Sequence, residues 1–229
     1  MEHDIGVLIP AHNEERTIGP LVARLRTRFD TVLVVDDGST DRTALEAEAA
    51  GALVERHPVC RGKGAALETG FAFYSRRNVR AVITMDGDGQ HLPEETDGFV
   101  SAFRRRSDVA IWVGTRDLAA SEMPLLRRVT NLAMSLLISL VALRWIPDTQ
   151  SGFRLFRADV LPRLRVASAH FEAESEILIR ASRMGLRIGR VRISTVYGSE
   201  RSKIRAVRDT LRFFRMLAGM LAPHGGSRR

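Results

Sequence analysis

The sequence predicts an α/β domain in which helices cover both faces of a mostly parallel central sheet, as in a three-layer sandwich. The chain has 229 residues, of which 45% are hydrophobic and 27% charged, as is typical of a globular protein with one large core. In its first half, short β-rich runs alternate with helical patterns. The β-rich runs are continuously apolar, which indicates strands buried on both faces and therefore a parallel sheet with crossover helices.

Each predicted strand is a short apolar run bounded by turn residues. The strands are Ile5–Pro10, Thr31–Val35, Ala52–Glu55, Ala81–Met85, Val109–Val113, Gly152–Arg157 and Arg187–Ser194. Each predicted helix shows apolar residues at helical spacing, and Gly51 supplies a stop signal after the second helix. The helices are Glu14–Phe29, Asp41–Ala50, Lys63–Arg76, Pro93–Arg106 and Phe171–Met184.

Two further helical segments in the second half suit an apolar surface. Leu132–Leu143 is an apolar run between arginines, too short to cross a bilayer, which takes about 20 residues. It therefore predicts a buried or interfacial helix. The last helix, Ser202–Leu221, carries an apolar stripe beside a basic one. The apolar stripe is Ile204, Val207, Leu211, Phe214, Ala218 and Leu221, and the basic stripe is Arg201, Arg205, Arg208, Arg212 and Arg215. This helix either packs on the core with its arginines in water or lies on an anionic membrane surface.

Composition narrows the class of protein. The only cysteine is Cys60, which excludes a disulfide framework and a cysteine-based zinc site. We expect a cytoplasmic protein, because the start of the chain has no signal-peptide pattern. The net charge is +8 and is concentrated after residue 180, so we expect an anionic partner: nucleic acid, a phosphorylated substrate or a membrane surface. No recognisable module or basic aromatic platform supports nucleic acid.

Acidic residues follow three of the predicted strands. Ligands of such sheets bind beyond the carboxyl ends of the strands, where the residues of Ala11–Glu14, Asp36–Asp37 and Asp86–Gln90 would stand side by side. In the last group, Asp86 and Asp88 flank Gly87, which would let the backbone turn tightly. Two carboxylates at this spacing predict Mg²⁺ or Mn²⁺ bridging to a substrate diphosphate.

Seven short motifs follow one another along the chain: IPAHNEE, VVDDGSTD, GKGAAL, MDGDGQHLP, GTRD, SGFRLFR and YGSERSK. In this order they resemble the family 2 inverting glycosyltransferases of the dolichyl- or polyprenyl-phosphate mannose/glucose synthase type. The resemblance covers about Ile5 to Lys203. It implies a GT-A fold, a nucleotide-sugar donor such as GDP-mannose or UDP-glucose, a divalent metal and a polyprenyl-phosphate acceptor. The implied organisation is a transferase domain over 1–200, with the donor site mainly in 5–117 and the acceptor side in 118–200, followed by a basic helix and tail over 201–229.

The resemblance also implies roles for individual residues on the donor side. The nucleotide would be lined by Pro10, His12 and Glu14, where the family usually has Tyr in place of His12. The base would be held by Val35 and Asp37, with Asp37 accepting from a ring N–H.

On the phosphate side, Asp86 and Asp88 would bind the metal, with Gln90 in support and Gly87 between them. The residues expected at the donor phosphates are Lys63, which opens a helix behind Gly62, and Arg116 and Lys203. Among all of these, Asp88, Arg116 and Lys203 are the predicted catalytic residues. Some relatives carry an arginine at the position of Thr195, and Arg201 would substitute for it here.

The predicted acceptor determines the chemistry. A lipid phosphate is already an anion, with a second pKa near ~6, so it can attack without a catalytic base. Family members that act on sugar hydroxyls carry additional Glu-Asp and Gln-x-x-Arg-Trp motifs, and this chain has neither. Candidates for an unrecognised base are Asp148 and the glutamates of the segment Phe171–Glu174.

Other functions stay open at this point. One is a soluble transferase of the same family acting on a small sugar or glycerate acceptor. Another is a membrane-attached regulator without activity, which the intact Asp86 and Asp88 argue against. A nicotinamide dehydrogenase is disfavoured because Pro10–Asn13 stands where a glycine-rich fingerprint would be.

Overall fold

A computed structural model describes residues 1–116, 134–142, 146, 148, 149, 151–164, 166–170, 172–194 and 206–221. Its strands form one seven-stranded sheet in the order β3-β2-β1-β4-β6-β5-β7. The strands are β1 (Glu2–Ala11), β2 (Phe29–Asp36), β3 (Leu53–Arg56), β4 (Ala81–Thr84), β5 (Ile111–Arg116), β6 (Arg154–Arg157) and β7 (Ile188–Ile193). Only β6 runs antiparallel to its neighbours, β4 and β5, so the prediction of a mostly parallel sheet is confirmed.

Helices connect most of these strands. They are α1 (Ile18–Arg26), α2 (Thr43–Ala49), α3 (Lys63–Tyr74), α4 (Thr96–Arg105), α5 (134–141), α6 (Glu172–Arg183) and α7 (Ala206–Leu221). Short 3₁₀ helices cover Pro93–Glu95 and Ala158–Arg163. In the part of the chain that the structure describes, no helix is long and apolar enough to cross a membrane.

The sheet separates two apolar cores, which gives the predicted three layers. Val7 and Ile9 of β1 point into a core shared with α1 and α4, whereas Leu8 points into a core shared with α3, α5, α6 and α7. All three side chains are fully buried. Because successive residues of a strand face opposite sides, a continuously apolar strand serves both cores at once, and the α/β prediction is confirmed.

The first helix begins later than predicted, at Ile18 rather than Glu14. Asn13 adopts a left-handed conformation with φ of 55°, which ends β1 and prevents an immediate helix. Its backbone N–H donates to Ser39 Oγ at 2.9 Å, and its side-chain oxygen accepts from the Thr40 N–H at 2.9 Å. The segment between β1 and α1 is thereby tied to the segment after β2.

Helix α7 turns a different face to the core than the predicted apolar stripe. Phe213 and Leu217 are buried against α6, whereas Phe214 and Ala218, which belong to the predicted stripe, are exposed. The sequence offers two adjacent apolar faces, and packing on α6 selects one of them. Phe214 keeps 52% of its surface accessible. Phe214 and Ala218 are therefore available for a contact outside the domain core.

Candidate active site

The strand order β2-β1-β4 brings the three acidic strand ends together, as the sequence predicts. Asp86 and Asp88 follow β4, Glu14 follows β1, and Asp37 follows β2. Thr17 links two of these ends, because its hydroxyl donates to the Gly87 carbonyl at 2.6 Å. These segments form one continuous edge beyond the carboxyl ends of parallel strands, which is where α/β sheets bind ligands.

The Asp86 carboxylate is paired with a lysine from the opposite side of the edge. Lys63 opens α3, and its Nζ lies 2.5 Å from Asp86 Oδ1 and 2.7 Å from Glu174 Oε1. Its ammonium therefore bridges the acid after β4 and an acid in the first turn of α6. The predicted phosphate-binding lysine thus stands at the predicted metal ligand.

This pairing sets the charge states of the two groups. Burial alone would raise the pKa of Asp86, but the Lys63 ammonium and, less strongly, His91 hold that pKa below its usual value. Burial alone would lower the pKa of Lys63, but the Asp86 and Glu174 carboxylates raise it above its ordinary value. Asp86 and Lys63 are therefore both charged near neutral pH.

Asp88 has the opposite environment. Burial is the main reason why its pKa is raised, and the nearby Asp86 carboxylate raises it further. The Gln90 backbone N–H donates to Asp88 Oδ1 at 3.0 Å and partly offsets these effects. Two acidic groups that disfavour each other's charge are an arrangement that a bound divalent cation stabilises. Among the described residues, no group of three or more His, Cys, Asp and Glu side chains is arranged to hold a metal.

The glycines near Asp86 and Asp88 differ in how much space a side chain would have and in their backbone conformation. Gly87 is not the tight-turn residue that the sequence suggests. A Cβ on Gly87 would meet its neighbours at an ordinary 3.5 Å, and the left-handed conformation belongs to Gly89, with φ of 75°. Gly152 is the constrained position, because a Cβ there would lie 2.6 Å from Asp86 Oδ2 and 2.8 Å from Glu174 Oε1. The motif SGFR therefore supplies the surface against which Asp86 and Glu174 rest.

Asp37, the predicted base-binding residue, is 3% exposed and holds the loop before α3. His57 Nδ1 and the Arg61 N–H contact its Oδ1 at 2.7 and 2.9 Å, while the Gly62 N–H donates to its Oδ2 at 2.6 Å. The Cys60 thiol is a weaker donor to Oδ2 at 3.3 Å. Burial would raise the pKa of Asp37, but the bonds from His57, Arg61 and Gly62 lower it overall.

Of the other predicted nucleotide-site residues, Pro10, His12 and Val35 lie near Asp37, whereas the Glu14 side chain lies next to Gly87. The His12 ring Nδ1 lies 2.8 Å from the Asp37 carbonyl oxygen, so β1 and β2 are joined at this point. Pro10 pairs with Val35 across the same two strands. The Glu14 backbone N–H donates to Thr43 Oγ1 at 2.8 Å, which fixes Glu14 beside α2.

Arg116, at the end of β5, is held by Asp148. Its Nε and Nη2 donate to the two oxygens of that carboxylate at 2.8 and 2.6 Å, and its backbone N–H adds a third bond at 3.0 Å. Asp148 is 7% exposed and has a left-handed φ of 49°. A bidentate pair of this kind fixes the plane of the guanidinium.

The structure brings most of the predicted residues to this edge and adds others. Arg201, Lys203 and Thr195 lie outside the described residues. Sequence reasoning gave no role to His57 or Gly152, and it considered Asp148 and Glu174 only as possible bases. Gly152 and Arg154 stand in the quoted motif SGFRLFR, which is the signal that could have identified them, whereas His57 has no such signal.

The sequence of this chain is similar to those of named glycosyltransferases. The chain is 31% identical over 216 residues to a UDP-N-acetylglucosamine–dolichyl-phosphate N-acetylglucosaminyltransferase of Methanococcus voltae, with 84% of this chain and 86% of that protein covered. It is 29% identical over 202 residues to an undecaprenyl-phosphate mannosyltransferase of Micrococcus luteus, with 82% of each chain covered.

Solved structures resemble it as well. The crystal structure of glucosyl-3-phosphoglycerate synthase from Mycobacterium tuberculosis superposes with a TM-score of 0.78 at 25% identity, covering 97% of this chain and 82% of that chain. Other crystals of that synthase contain Mg²⁺ with uridine diphosphate. The GT-A fold is thus shared with a known transferase. Residues 6–165 match the family described as glycosyl transferase family 2, and the chain is a transferase that belongs to this family.

Proposed function

We propose that the protein transfers a hexose, with inversion, from a nucleotide-diphosphate sugar to a polyprenyl phosphate at a membrane surface. One observation carries the choice of acceptor: of the three acids considered as catalytic bases, Asp148 and Glu174 are already ion-paired, whereas Glu172 has a buried Oε2 without a hydrogen-bond partner among the described residues. Both oxygens of Asp148 bind Arg116, and Glu174 binds Lys63. A sugar hydroxyl needs a base, whereas a lipid phosphate is an anion that attacks without one.

The relatives support this acceptor. The two named transferases described above act, by their names, on dolichyl phosphate and undecaprenyl phosphate. A dolichol-phosphate mannosyltransferase of Pyrococcus furiosus is a further relative, at 29% identity over 192 residues. The donors named among these relatives differ, so the sugar is to be found by experiment.

A divalent cation fits the residues at this edge. Asp86 and Asp88 offer the oxygen ligands that Mg²⁺ and Mn²⁺ prefer. The pKa of Asp88 is raised mainly by burial and further by the Asp86 carboxylate, and a cation bound between the two carboxylates would offset both effects. We propose that these two side chains hold the metal, with Gln90 in support. When bound, the metal neutralises the charge that develops on the leaving diphosphate.

The chain's own cations complete this environment. From its position beside Asp86, the Lys63 ammonium can bind both that carboxylate and a donor phosphate. Arg116 is oriented by Asp148 before any ligand arrives, so little reorganisation accompanies phosphate binding. We assign both to the donor phosphates, together with Lys203 and Arg201 of the motif YGSERSK.

The nucleotide half of the donor would lie across β1 and β2. Asp37 fixes the Cys60–Gly62 segment, and its bond from the Cys60 thiol is the weakest of its four. A ring N–H of the nucleotide base would most easily replace the Cys60 thiol as a donor to Asp37 Oδ2. Pro10, His12 and Val35 lie on the same two strand ends, and Glu14 stands next to Gly87.

Two helices present apolar side chains for a membrane contact. Leu136 and Leu140 of α5 are 51% and 70% exposed, one helical turn apart, and Phe214 of α7 is exposed beside the exposed Arg215. Both helices pack against α6, since the Ser182 hydroxyl donates to the Ala142 carbonyl and Phe213 is buried in the same core as α6.

Between α6 and α7 lies a groove of about 470 Å³ lined by arginines, methionines and Glu176, which pairs with Arg180. The arginines and methionines are Arg163, Arg180, Arg183, Met184, Met216 and Met220. Arginines attract anionic headgroups, and exposed apolar side chains enter the interface. We propose that this side of the protein lies on an anionic cytoplasmic membrane surface, where polyprenyl phosphate is available.

A second candidate is transfer to a small soluble acceptor such as a phosphoglycerate. The superposition on glucosyl-3-phosphoglycerate synthase over nearly the whole chain favours it. The donor half of the site would be unchanged, and the acceptor alone would differ.

Incubation with donors and acceptors tests the two candidates directly. The donors are GDP-mannose, UDP-glucose and UDP-N-acetylglucosamine, each offered with Mn²⁺ and either polyprenyl phosphate in vesicles or 3-phosphoglycerate. We expect a glycolipid product with one donor, no product with Asp88→Asn and none in excess chelator. Product formed only with 3-phosphoglycerate would establish the second candidate instead.

A further inference from the structure

Arg154, the first residue of β6, is 1% exposed and makes no ion pair with a carboxylate among the described residues. Its guanidinium instead donates to three backbone carbonyls. Nε donates to Ser151 at 2.8 Å, Nη2 to Thr149 at 2.9 Å and Nη1 to Glu174 at 2.8 Å. One side chain therefore joins the 149–151 segment to the first turn of α6.

Each of these carbonyls belongs to a site residue or to the chain neighbour of one. Thr149 follows Asp148, which orients Arg116. Ser151 precedes Gly152, whose backbone lies against the Asp86 and Glu174 carboxylates. Glu174 itself binds Lys63. The segment is also tied to β4, because the Thr84 hydroxyl donates to the Gly152 carbonyl at 2.9 Å.

The electrostatic surroundings of Arg154 match this placement. Burial lowers the pKa of Arg154, and the carboxylates of Glu174, Asp86 and Asp148 oppose that shift. The three acids that favour the buried charge are the same three that hold Lys63 and Arg116.

We propose that Arg154 is a positioning residue of the transferase: its three bonds fix Asp86, Glu174 and the Asp148–Arg116 pair relative to one another. The inference rests on the proposed function. Three donors in a planar fork reach three carbonyls at once, which a lysine ammonium cannot reproduce. Arg154 is almost completely buried, so it would act through the residues assigned to the metal and the donor phosphates.

The test uses the full chain with Arg154→Lys, Arg154→Met and a matched control, Phe156→Leu. Phe156 lies on the same strand, is fully buried and packs on Phe71, away from the site. Thermal unfolding measures stability. Mn²⁺ affinity in the presence of UDP, measured by electron paramagnetic resonance, and kcat and KM for the donor measure the site.

We expect both Arg154 variants to bind Mn²⁺ about 10-fold or more weakly and to lose kcat by about 10- to 100-fold. Phe156→Leu should lose thermal stability without either effect. Unchanged Mn²⁺ affinity and kcat in folded Arg154 variants would overturn the inference. A wild-type protein that binds no Mn²⁺ would overturn the proposed metal site as well, and one that binds Mn²⁺ but glycosylates no lipid would overturn only the proposed acceptor.

Chemical rescue separates positioning from folding. Arg154→Ala leaves space for added methylguanidinium, which should restore Mn²⁺ affinity towards the wild-type value and leave Phe156→Leu unaffected. A rescued fold without rescued Mn²⁺ affinity would contradict the proposal. Failure of every Arg154 variant to fold, with methylguanidinium present, would make Arg154 a folding residue and overturn it too.

Discussion

The Lys63 ammonium lies 2.5 Å from the Asp86 carboxylate, so an acid assigned to the metal is already neutralised by a residue of the chain. The same ammonium binds Glu174, so it offsets the repulsion between the Asp86 and Glu174 carboxylates. Asp88 has no such partner among the described ion pairs. The two acids of the Asp-x-Asp motif therefore differ in what they contribute to the folded state.

Neutral substitutions of the two acids should separate stability from activity. Asp86→Asn removes a charge that Lys63 stabilises, and we expect the free energy of unfolding to fall by about 2 kcal/mol. Asp88→Asn removes a charge that burial and Asp86 disfavour, so stability should stay within about 0.5 kcal/mol of wild type or rise. Urea denaturation in chelator measures both, and both variants should lose turnover. A larger loss of stability in Asp88→Asn than in Asp86→Asn would contradict the assignment.

Gly152 should tolerate no side chain, whereas Gly87 should tolerate one. In Gly152→Ala the new Cβ would collide with the Asp86 and Glu174 carboxylates, and we expect Mn²⁺-dependent UDP affinity to fall by about 10-fold or more. In Gly87→Ala the new contacts are ordinary, and affinity should stay within about 3-fold of wild type. Calorimetric titration of UDP measures both affinities. If Gly87→Ala weakened UDP binding more than Gly152→Ala, the glycine of the Asp-x-Asp motif would be the sterically constrained one.

Asp37 should stabilise the protein in a pH-dependent way. Its pKa in the folded state is lowered from the ordinary 3.8, so the ionised carboxylate contributes stability that is fully present above that value. This contribution is lost as the pH falls through the lowered pKa. We expect Asp37→Asn to lose about 2 kcal/mol at neutral pH, and the difference from wild type to narrow only below about pH 4. Urea unfolding across this range measures it, and a difference that narrows already between pH 7 and 5 would rule out Asp37 as its source.

Membrane binding should depend on the exposed face of α7. We expect the wild-type protein to sediment with vesicles that contain anionic lipid, and more weakly as salt rises. Phe214→Ser and Arg215→Gln should each weaken this binding by about 5-fold, which corresponds to about 1 kcal/mol per side chain. Leu45→Ser is the matched control, because Leu45 is an exposed leucine on α2. If the control weakens binding as much as Phe214→Ser, the interaction is not specific to α7.

Local sequence patterns are sufficient to predict the sheet and the edge at which its acidic strand ends meet. Ile5–Pro10 and Ala81–Met85 are continuously apolar because both faces of a central strand are covered. The acids that follow such strands meet at one edge because the strands are parallel. The family motifs indicated which segments of the chain belong to the site. The strands and helices of the structure occur in the predicted order along the chain.

The pairing of the buried charged side chains depends on how the elements pack in three dimensions. Lys63 meets Glu174, Asp86 rests on Gly152, and Arg116 pairs with Asp148, and each of these contacts joins positions far apart in the chain. Arg154 reads in the sequence as one more charged residue of a short strand. Its burial and its three carbonyl acceptors exist only once β6 and α6 have packed together. Local patterns record which face of an element is apolar, but the partner of a buried charge depends on elements that local patterns do not connect.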